Sequence, residues 1–189
     1  MTIPVVGVGA SAGGLEAFRL MLAHLPADSG LAYVFVQHLD PKHQSNLSEI
    51  LARVSPIPVE LAADGLEIKP NHLYVIPPGA ALEIAGQALK ITPRSPASSG
   101  PHTPIDHFLR SLAQECGSRA IGVILSGAGT DGVAGLETVK AVGGMTFVQD
   151  PTTAKFGSMP EAAIARGCVD FVLSPEAIAE ELTKLGHHL

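Results

Sequence analysis

The stretch Val5-Val6-Gly7-Val8-Gly9-Ala10-Ser11-Ala12-Gly13-Gly14 decides the fold of this chain. Small apolar residues run into a glycine cluster, and apolar residues then recur at helical spacing from Leu15 to Leu25. The pattern predicts a buried strand over residues 3–9, a tight turn, and a helix over residues 13–25. Ser11 lies in that turn, where glycines admit a close approach and a helix N-terminus offers unpaired N–H groups. A serine in this place is suited to anion binding or to nucleophilic attack on a carbonyl.

Three interpretations of this turn remain open from its own residues. The spacing Gly7-x-Gly9-x-x-Ala12 fits the loose dinucleotide-binding fingerprint, in which the glycines admit a pyrophosphate. The spacing Gly9-x-Ser11-x-Gly13 fits the nucleophile elbow of serine hydrolases. The third interpretation is a turn whose glycines serve packing alone. The choice among them depends on the rest of the chain.

The composition narrows the class of protein. The chain has 189 residues, of which 46% are hydrophobic and 16% charged, which suits one α/β domain with a mostly buried sheet. The net charge of −6 argues against nucleic acid and anionic membranes as main partners. Cys116 and Cys168 have no metal-type spacing, so we interpret them as buried thiols of a reducing compartment. With no membrane span and no room for a signal peptide, we expect a cytoplasmic protein without cofactor or metal.

Apolar runs alternate with helical patterns along the rest of the chain. A hairpin is predicted over residues 81–92, and strands are predicted over residues 31–37, 73–76, 121–126, 145–149 and 169–173. Thr103-Pro104-Ile105-Asp106 has the residue types of a helix start, with a capping Thr, then Pro, and an acid three residues on. We therefore expect a single domain over residues 1–189. Its predicted fold is a doubly wound, mostly parallel sheet with helices on both faces and an antiparallel hairpin extension.

Three predicted strands end in side chains of complementary chemistry. Ser11 follows the first strand, His38 follows the second, and Asp131 follows the strand over residues 121–126. A serine needs a base to lose its proton, and an imidazole needs a carboxylate that fixes its tautomer. Ligands of such sheets bind beyond the carboxyl ends of the strands, so the three residues form a predicted triad. The alternatives are a histidine at a strand end and an aspartate that caps a helix.

Four motifs then resemble one family over essentially the whole chain. They are Gly9-Ala10-Ser11-Ala12-Gly13-Gly14, Val36-Gln37-His38-Leu39, the stretch from Leu125 to Gly135, and Phe156-Gly157-Ser158-Met159-Pro160. Together they resemble the catalytic domain of the chemotaxis protein-glutamate methylesterase (CheB) family. The resemblance implies hydrolysis of glutamyl methyl esters on chemoreceptor helices, with deamidation of glutamines as a further activity. It also implies that Ser11 is the nucleophile, His38 the base and Asp131 the acid that orients the base.

The chain departs from the family pattern at two places beside the site. Ala12 stands where the family commonly has a hydroxyl residue, and Ala128 stands where it commonly has Met. An oxyanion donor at the Ala128 backbone would tolerate the change, whereas loss of the hydroxyl at residue 12 would lower activity or alter substrate choice. The predicted oxyanion and pocket residues are Ala12, Gly13, Ala128, Gly129 and Met159.

The resemblance also implies binding partners, and two alternative functions stay open. The partners implied are methylated cytoplasmic helices of chemoreceptors, without nucleic acid and without membrane insertion. Members of the family usually carry a receiver domain. The sequence of this chain resembles more closely the family members that are fused to a receptor methyltransferase. Lys42, His43 and Lys155 are predicted to steer an acidic substrate. The rival functions are a non-catalytic receptor- or domain-binding module of the same fold and a nucleotide-binding domain.

Overall fold

The computed structural model describes residues 3–38, 46–94 and 100–189. The strands in this part of the chain are β1 (Val5–Ala10), β2 (Ala32–Gln37), β3 (Val59–Leu61), β4 (Leu73–Val75), β5 (Ala80–Ala85), β6 (Ala88–Pro93), β7 (Ala120–Ile124), β8 (Met145–Gln149) and β9 (Phe171–Leu173). The α-helices are α1 (Gly14–Ala23), α2 (Leu47–Ala52), α3 (Pro104–Cys116), α4 (Val133–Ala141), α5 (Ser158–Ala165) and α6 (Pro175–Gly186).

The main sheet has seven strands in the order β3-β4-β2-β1-β7-β8-β9, and every pair is parallel. Strands β5 and β6 pair with each other as an antiparallel hairpin. The prediction of a mostly parallel sheet with an antiparallel hairpin is confirmed. The hairpin forms a two-stranded sheet of its own, and it lies beside α3, where the Ile84 N–H donates to Ser111 Oγ at 3.1 Å.

Two hydrophobic cores cover the two faces of the sheet, as expected for a doubly wound fold. One core joins the sheet to α1, α2 and α6, and the other joins it to α3, α4, α5 and the hairpin. Val6, Val8 and Ala10 of β1 belong to the first core, because alternate side chains of a strand point to the same face. None of the helices in the described ranges is long and apolar enough to cross a membrane.

The opposite face of β1 carries glycines, and α3 lies directly on them. A Cβ on Gly7 would lie 2.9 Å from Leu109 Cδ2, and a Cβ on Gly9 would collide with Ile105 Cγ2. The glycines at 7 and 9 therefore serve the close approach of α3 to the strand, which is the packing role among the three interpretations of the sequence motif. This approach also brings the N-terminus of α3 to the edge where the predicted triad lies.

The strand order places the predicted site at a topological switch point. From β1 the chain moves to β2 on one side and later returns to β7 on the other side of β1. In open parallel sheets, the crevice where the strand order reverses is the usual place for a ligand. The loops that carry Ser11, His38 and Asp131 follow the three neighbouring strands β1, β2 and β7.

Candidate active site

Ser11 sits in a turn that hydrogen bonds hold to the neighbouring loop after β7. The Ser11 N–H donates to the Ser126 carbonyl at 3.0 Å, and the Ser11 carbonyl accepts the Gly14 N–H at 2.9 Å. Gly13 has a φ of 75°, and a Cβ there would lie 2.7 Å from Ser126 Oγ. Both the backbone conformation and the space therefore require glycine at residue 13.

Ser126 ties the serine turn to the loop that precedes α5. Its buried hydroxyl donates to the Ala12 carbonyl at 2.8 Å and accepts the Phe156 N–H at 3.1 Å. Its own N–H donates to Gln149 Oε1 at 2.9 Å. The turn that carries Ser11 is thus held in place by the hydrogen bonds of Ser126, in which each buried polar group has a partner, as a preorganised site requires.

His38 and Asp131 are hydrogen-bonded across the carboxyl edge of the sheet. His38 Nε2 lies 2.6 Å from Asp131 Oδ2, and the two side chains are 33% and 8% exposed. A carboxylate only accepts hydrogen bonds, so Nε2 is the nitrogen that donates to Asp131 and Nδ1 is left to accept a proton. The arrangement provides a base whose tautomer is set by a buried acid.

Ser11 and His38 line the same cavity. The cavity has a volume of about 330 Å³ and also includes Ala12, Gly13 and Gln37 in its lining. Within the part of the chain that the structure describes, Ser11 Oγ makes no hydrogen bond to His38 or to another residue. Contacts of this kind are often loose without substrate and tighten in the complex. The cavity is large enough for a short ester side chain beside both groups.

Asp131 is held by the N-terminus of α3. Its Oδ2 accepts the Ile105 N–H at 3.0 Å and its Oδ1 accepts the Asp106 N–H at 2.9 Å. The predicted cap of α3, Thr103, makes no side-chain capping hydrogen bond. The sequence predicted the start of this helix correctly, but its cap comes from a distant residue, and local spacing carries no signal for that.

His102, which lies two residues before α3, is a neighbour of His38. The two rings meet edge to face, with centroids 5.6 Å apart. Burial is the main cause that lowers the pKa of His102, and the nearby Arg94 charge lowers it further. His102 therefore stays neutral near pH 7, so it adds no positive charge to compete with a protonated His38.

The predicted oxyanion and pocket residues fall into three groups. Ala12 and Gly13 line the cavity, and among the described residues no hydrogen bond uses their backbone N–H groups. Ala128 and Gly129 are exposed and are not in the cavity lining. Met159 is fully buried, and the point where a Cβ on Gly127 would lie is 3.0 Å from Met159 Sδ and 2.9 Å from Ser11 Cβ, so Met159 lies beside the Ser11 turn and its role as a pocket residue stays a prediction. In the sequence, an apolar side chain near glycines gives no signal that separates a core residue from a pocket residue.

Cationic groups lie at the rim of the cavity. Arg19 and Lys155 are in its lining together with Glu16, and the described residues provide no ion-pair partner for either cation. Arg19 was not singled out from the sequence, although its position one turn after Glu16 on α1 places it on the side of Ser11. Lys42 and His43, which were predicted to steer substrate, lie outside the described residues.

The described residues contain no group of three His, Cys, Asp or Glu side chains that could hold a metal ion. Cys116 and Cys168 are buried thiols, as their lack of metal-type spacing predicted, and burial raises the pKa of Cys116 to about 11. The groups that the structure places at this edge of the sheet include a hydroxyl, an imidazole, a carboxylate and backbone N–H groups.

Comparison with known proteins identifies the family of the chain. A sequence model of the CheB methylesterase family matches residues 6–182. A protein-glutamate methylesterase/protein-glutamine glutaminase of Anaeromyxobacter dehalogenans is 37% identical over 179 residues, which cover 94% of this chain and 52% of that protein. A relative from Leptospira interrogans, provisionally named as the same enzyme, is 35% identical over 185 residues, or 98% of this chain and 96% of that protein.

The structural comparison gives the same family. The CheB methylesterase catalytic domain of Thermotoga maritima has a TM-score of 0.88 and 30% sequence identity, covering 98% of this chain and 100% of that one. The chain spans about half the length of several of the relatives that it matches, including the 51% covered of a Xanthomonas campestris homologue. With a matched family model over most of its length and a shared fold, this chain belongs to the CheB methylesterase family.

Proposed function

We propose that the protein is a serine carboxylesterase that hydrolyses glutamyl methyl esters on chemoreceptor-type signalling proteins in the cytoplasm. The observation that carries the proposal is the His38–Asp131 hydrogen bond of 2.6 Å at the mouth of a cavity lined by Ser11. Relatives named protein-glutamate methylesterase/protein-glutamine glutaminase support the substrate class. The reaction needs no cofactor.

The proposed reaction begins with attack of Ser11 Oγ on the ester carbonyl. His38 Nδ1 takes the hydroxyl proton, while Asp131 keeps Nε2 protonated and stabilises the imidazolium that forms. The backbone N–H groups of Ala12 and Gly13 donate hydrogen bonds to the carbonyl oxygen and stabilise the negative charge that develops on it. The C–O bond to the methoxy group breaks, the leaving oxygen takes the proton from His38, and methanol departs.

The second half of the reaction frees the enzyme. Water loses a proton to His38 and attacks the acyl-Ser11 carbonyl, and the Ser11 oxygen leaves with the proton that His38 returns. The product is a glutamate carboxylate. With a glutamine side chain as substrate, the same steps release ammonia in place of methanol, which is the proposed glutaminase activity.

Substrate binding is proposed to use the rim of the cavity. The ester itself is small and neutral, so most binding energy for a protein substrate must come from the surface around the site. Arg19 and Lys155 would attract acidic residues beside the ester, and Phe156, which is 43% exposed, offers an aromatic contact next to them. Methylated receptor helices are the proposed partner, and a methyltransferase domain in the same parent chain is a further one.

The decisive experiment measures methanol release from methylated receptor preparations and from a small glutamyl methyl ester. We expect release with the parent protein and none with Ser11→Ala. A parent protein that binds the receptor and releases no methanol from either substrate would favour the non-catalytic binding module. Release at equal rates by the parent and Ser11→Ala would place the nucleophile elsewhere.

A further inference from the structure

Two buried aspartates, the proposed orienting acid Asp131 and its neighbour Asp106, each cap the helix that begins beside the other. Asp131, which precedes α4, accepts the Ile105 and Asp106 N–H groups at the N-terminus of α3. In return, Asp106 of α3 accepts the Gly132 and Gly135 N–H groups at the N-terminus of α4, at 2.9 and 2.7 Å. Each carboxylate therefore satisfies backbone donors of the helix that begins beside the other carboxylate.

The exchange leaves Asp131 little freedom to move. The Gly132 N–H held by Asp106 belongs to the residue directly after Asp131, and the Asp106 N–H donates back to Asp131 Oδ1. The two segments are thus linked by hydrogen bonds in both directions over adjacent residues. Both side chains are buried, Asp106 at 8% exposure and Asp131 at 9%, so water is a poor substitute for either acceptor.

Close packing of the two helices supports the same arrangement. A Cβ on Gly135 would lie 3.0 Å from the Asp106 Cα and 2.7 Å from Leu109 Cβ. The first turn of α4 consequently lies against the first turn of α3, which lets one short side chain reach two of its N–H groups.

We propose that Asp106 is a positioning residue of the active site: by fixing the Gly132–Gly135 turn, it holds the Asp131 carboxylate where His38 Nε2 donates to it. Among the described residues Asp106 makes no hydrogen bond to His38 and is not in the lining of the cavity that holds Ser11, so it acts through Asp131. This inference rests on the proposed esterase function for its kinetic consequence. Its structural consequence, the geometry of the His38–Asp131 bond, can be measured without turnover.

The test compares Asp106→Ala with Asp106→Asn. Alanine removes Oδ1, the one oxygen that accepts both N–H groups at the N-terminus of α4, whereas the asparagine oxygen can still accept from Gly132 and Gly135. A misplacement of a catalytic group by about 1 Å costs roughly 100-fold in rate, so we expect kcat per active molecule to fall by about 10- to 100-fold in Asp106→Ala. Asp106→Asn should stay within about 3-fold of the parent, and KM for a small glutamyl ester should change little in either variant.

Asp170→Ala is the matched control for lost stability. Asp170 accepts hydrogen bonds from Thr146 N at 3.0 Å and Thr146 Oγ1 at 2.9 Å and pairs with Lys140 in the last turn of α4, so it supports the opposite end of the helix whose N-terminus Asp106 holds. We expect this variant to lose stability and to keep its kcat per active molecule. Active molecules are counted with a serine-directed fluorophosphonate, and folding is followed by urea unfolding. If Asp106→Ala does not fold, Asp106→Ser, whose hydroxyl is too short to reach both glycine N–H groups, takes its place.

A second readout is the NMR signal of the His38 imidazole. In the parent and in Asp106→Asn, the ring nitrogen shifts should report one tautomer, with the proton on Nε2 in a short hydrogen bond. In Asp106→Ala that signal should broaden or move toward a mixture of tautomers. A parental signal and parental kcat in folded Asp106→Ala would overturn the proposal, as would an Asp106→Asn variant as impaired as alanine. If the parent itself hydrolyses no ester, the proposed function fails, and the imidazole signal still decides the role of Asp106.

Discussion

Replacing Asp131 by asparagine removes one acceptor oxygen from a carboxylate that accepts three hydrogen bonds. Oδ2 receives His38 Nε2 and the Ile105 N–H, and Oδ1 receives the Asp106 N–H. An amide has one oxygen and one NH2 group, so either orientation points NH2 at a backbone donor. With oxygen at the Oδ2 place, His38 keeps its tautomer and the Asp106 N–H loses its acceptor. With NH2 at that place, the Ile105 N–H loses its acceptor and His38 Nε2 must accept.

The two orientations predict the same loss of stability and different losses of activity. Each leaves one buried backbone donor unsatisfied, which lowers the free energy of unfolding by about 1–3 kcal/mol. The first orientation keeps the base but removes the charge that stabilises the imidazolium, a difference of about 1–2 kcal/mol or roughly 10-fold in kcat. The second puts the proton on Nδ1, the nitrogen that must take the Ser11 proton, and costs roughly 10⁴-fold. We therefore expect a kcat loss between these limits.

The assay pairs methanol release from a small glutamyl methyl ester with urea unfolding of the same preparation. Asp131→Ala serves as the comparison, because it leaves both the Ile105 and the Asp106 N–H groups without an acceptor and should be less stable than Asp131→Asn. Parental kcat and parental stability in Asp131→Asn would refute the assignment of Asp131 as both orienting acid and cap. A loss of activity with unchanged stability would show that the backbone bonds contribute nothing.

Three further changes test other parts of the site. Ser11→Ala should lower turnover by roughly six powers of ten and leave the unfolding midpoint nearly unchanged, since alanine fits the turn; measurable hydrolysis near the parental rate would contradict this. Lys155→Glu should raise KM for a methylated receptor several-fold, more strongly at low salt, and spare a small neutral ester; equal losses on both substrates would indicate damage to the catalytic turn. Burial raises the pKa of Asp106 above its ordinary 3.8, so the folded protein binds this proton more tightly than the unfolded chain and loses stability as pH rises above that value. Asp106→Asn should consequently gain stability relative to the parent as pH rises above 3.8, as measured by urea unfolding at each pH; a constant difference would show that burial of the charge has no cost.

Most of the fold could be predicted from local patterns. The alternation of apolar runs with helical spacing located β1, β2, β7 and β8 to within one or two residues, because each buried strand ends in glycine or in polar residues. The helix start at Pro104 was predicted as the structure has it. The separate hairpin sheet was not, because spacing along the chain does not reveal which edge a hairpin leaves unpaired.

The site was predictable where chemistry follows a strand end. Ser11, His38 and Asp131 follow the three neighbouring strands, and the structure bonds His38 to Asp131. The exchange of caps through Asp106 and the contact of His102 with His38 were missed. Both depend on how α3 lies across β1, and that placement comes from glycines whose packing role cannot be separated from a ligand-binding role in the sequence.

The proposed double use of Asp131, as orienting acid and as cap of α3, has a consequence for judging which relatives are enzymes. A descendant that abandoned hydrolysis would still need this carboxylate to cap α3, so selection for a folded domain alone would retain it. Among the described contacts the His38 side chain caps no helix, and only the backbone groups of Ser11 make hydrogen bonds that hold the fold. An aspartate at this position therefore indicates only that the fold is kept. The serine and the histidine are the residues that indicate a working esterase.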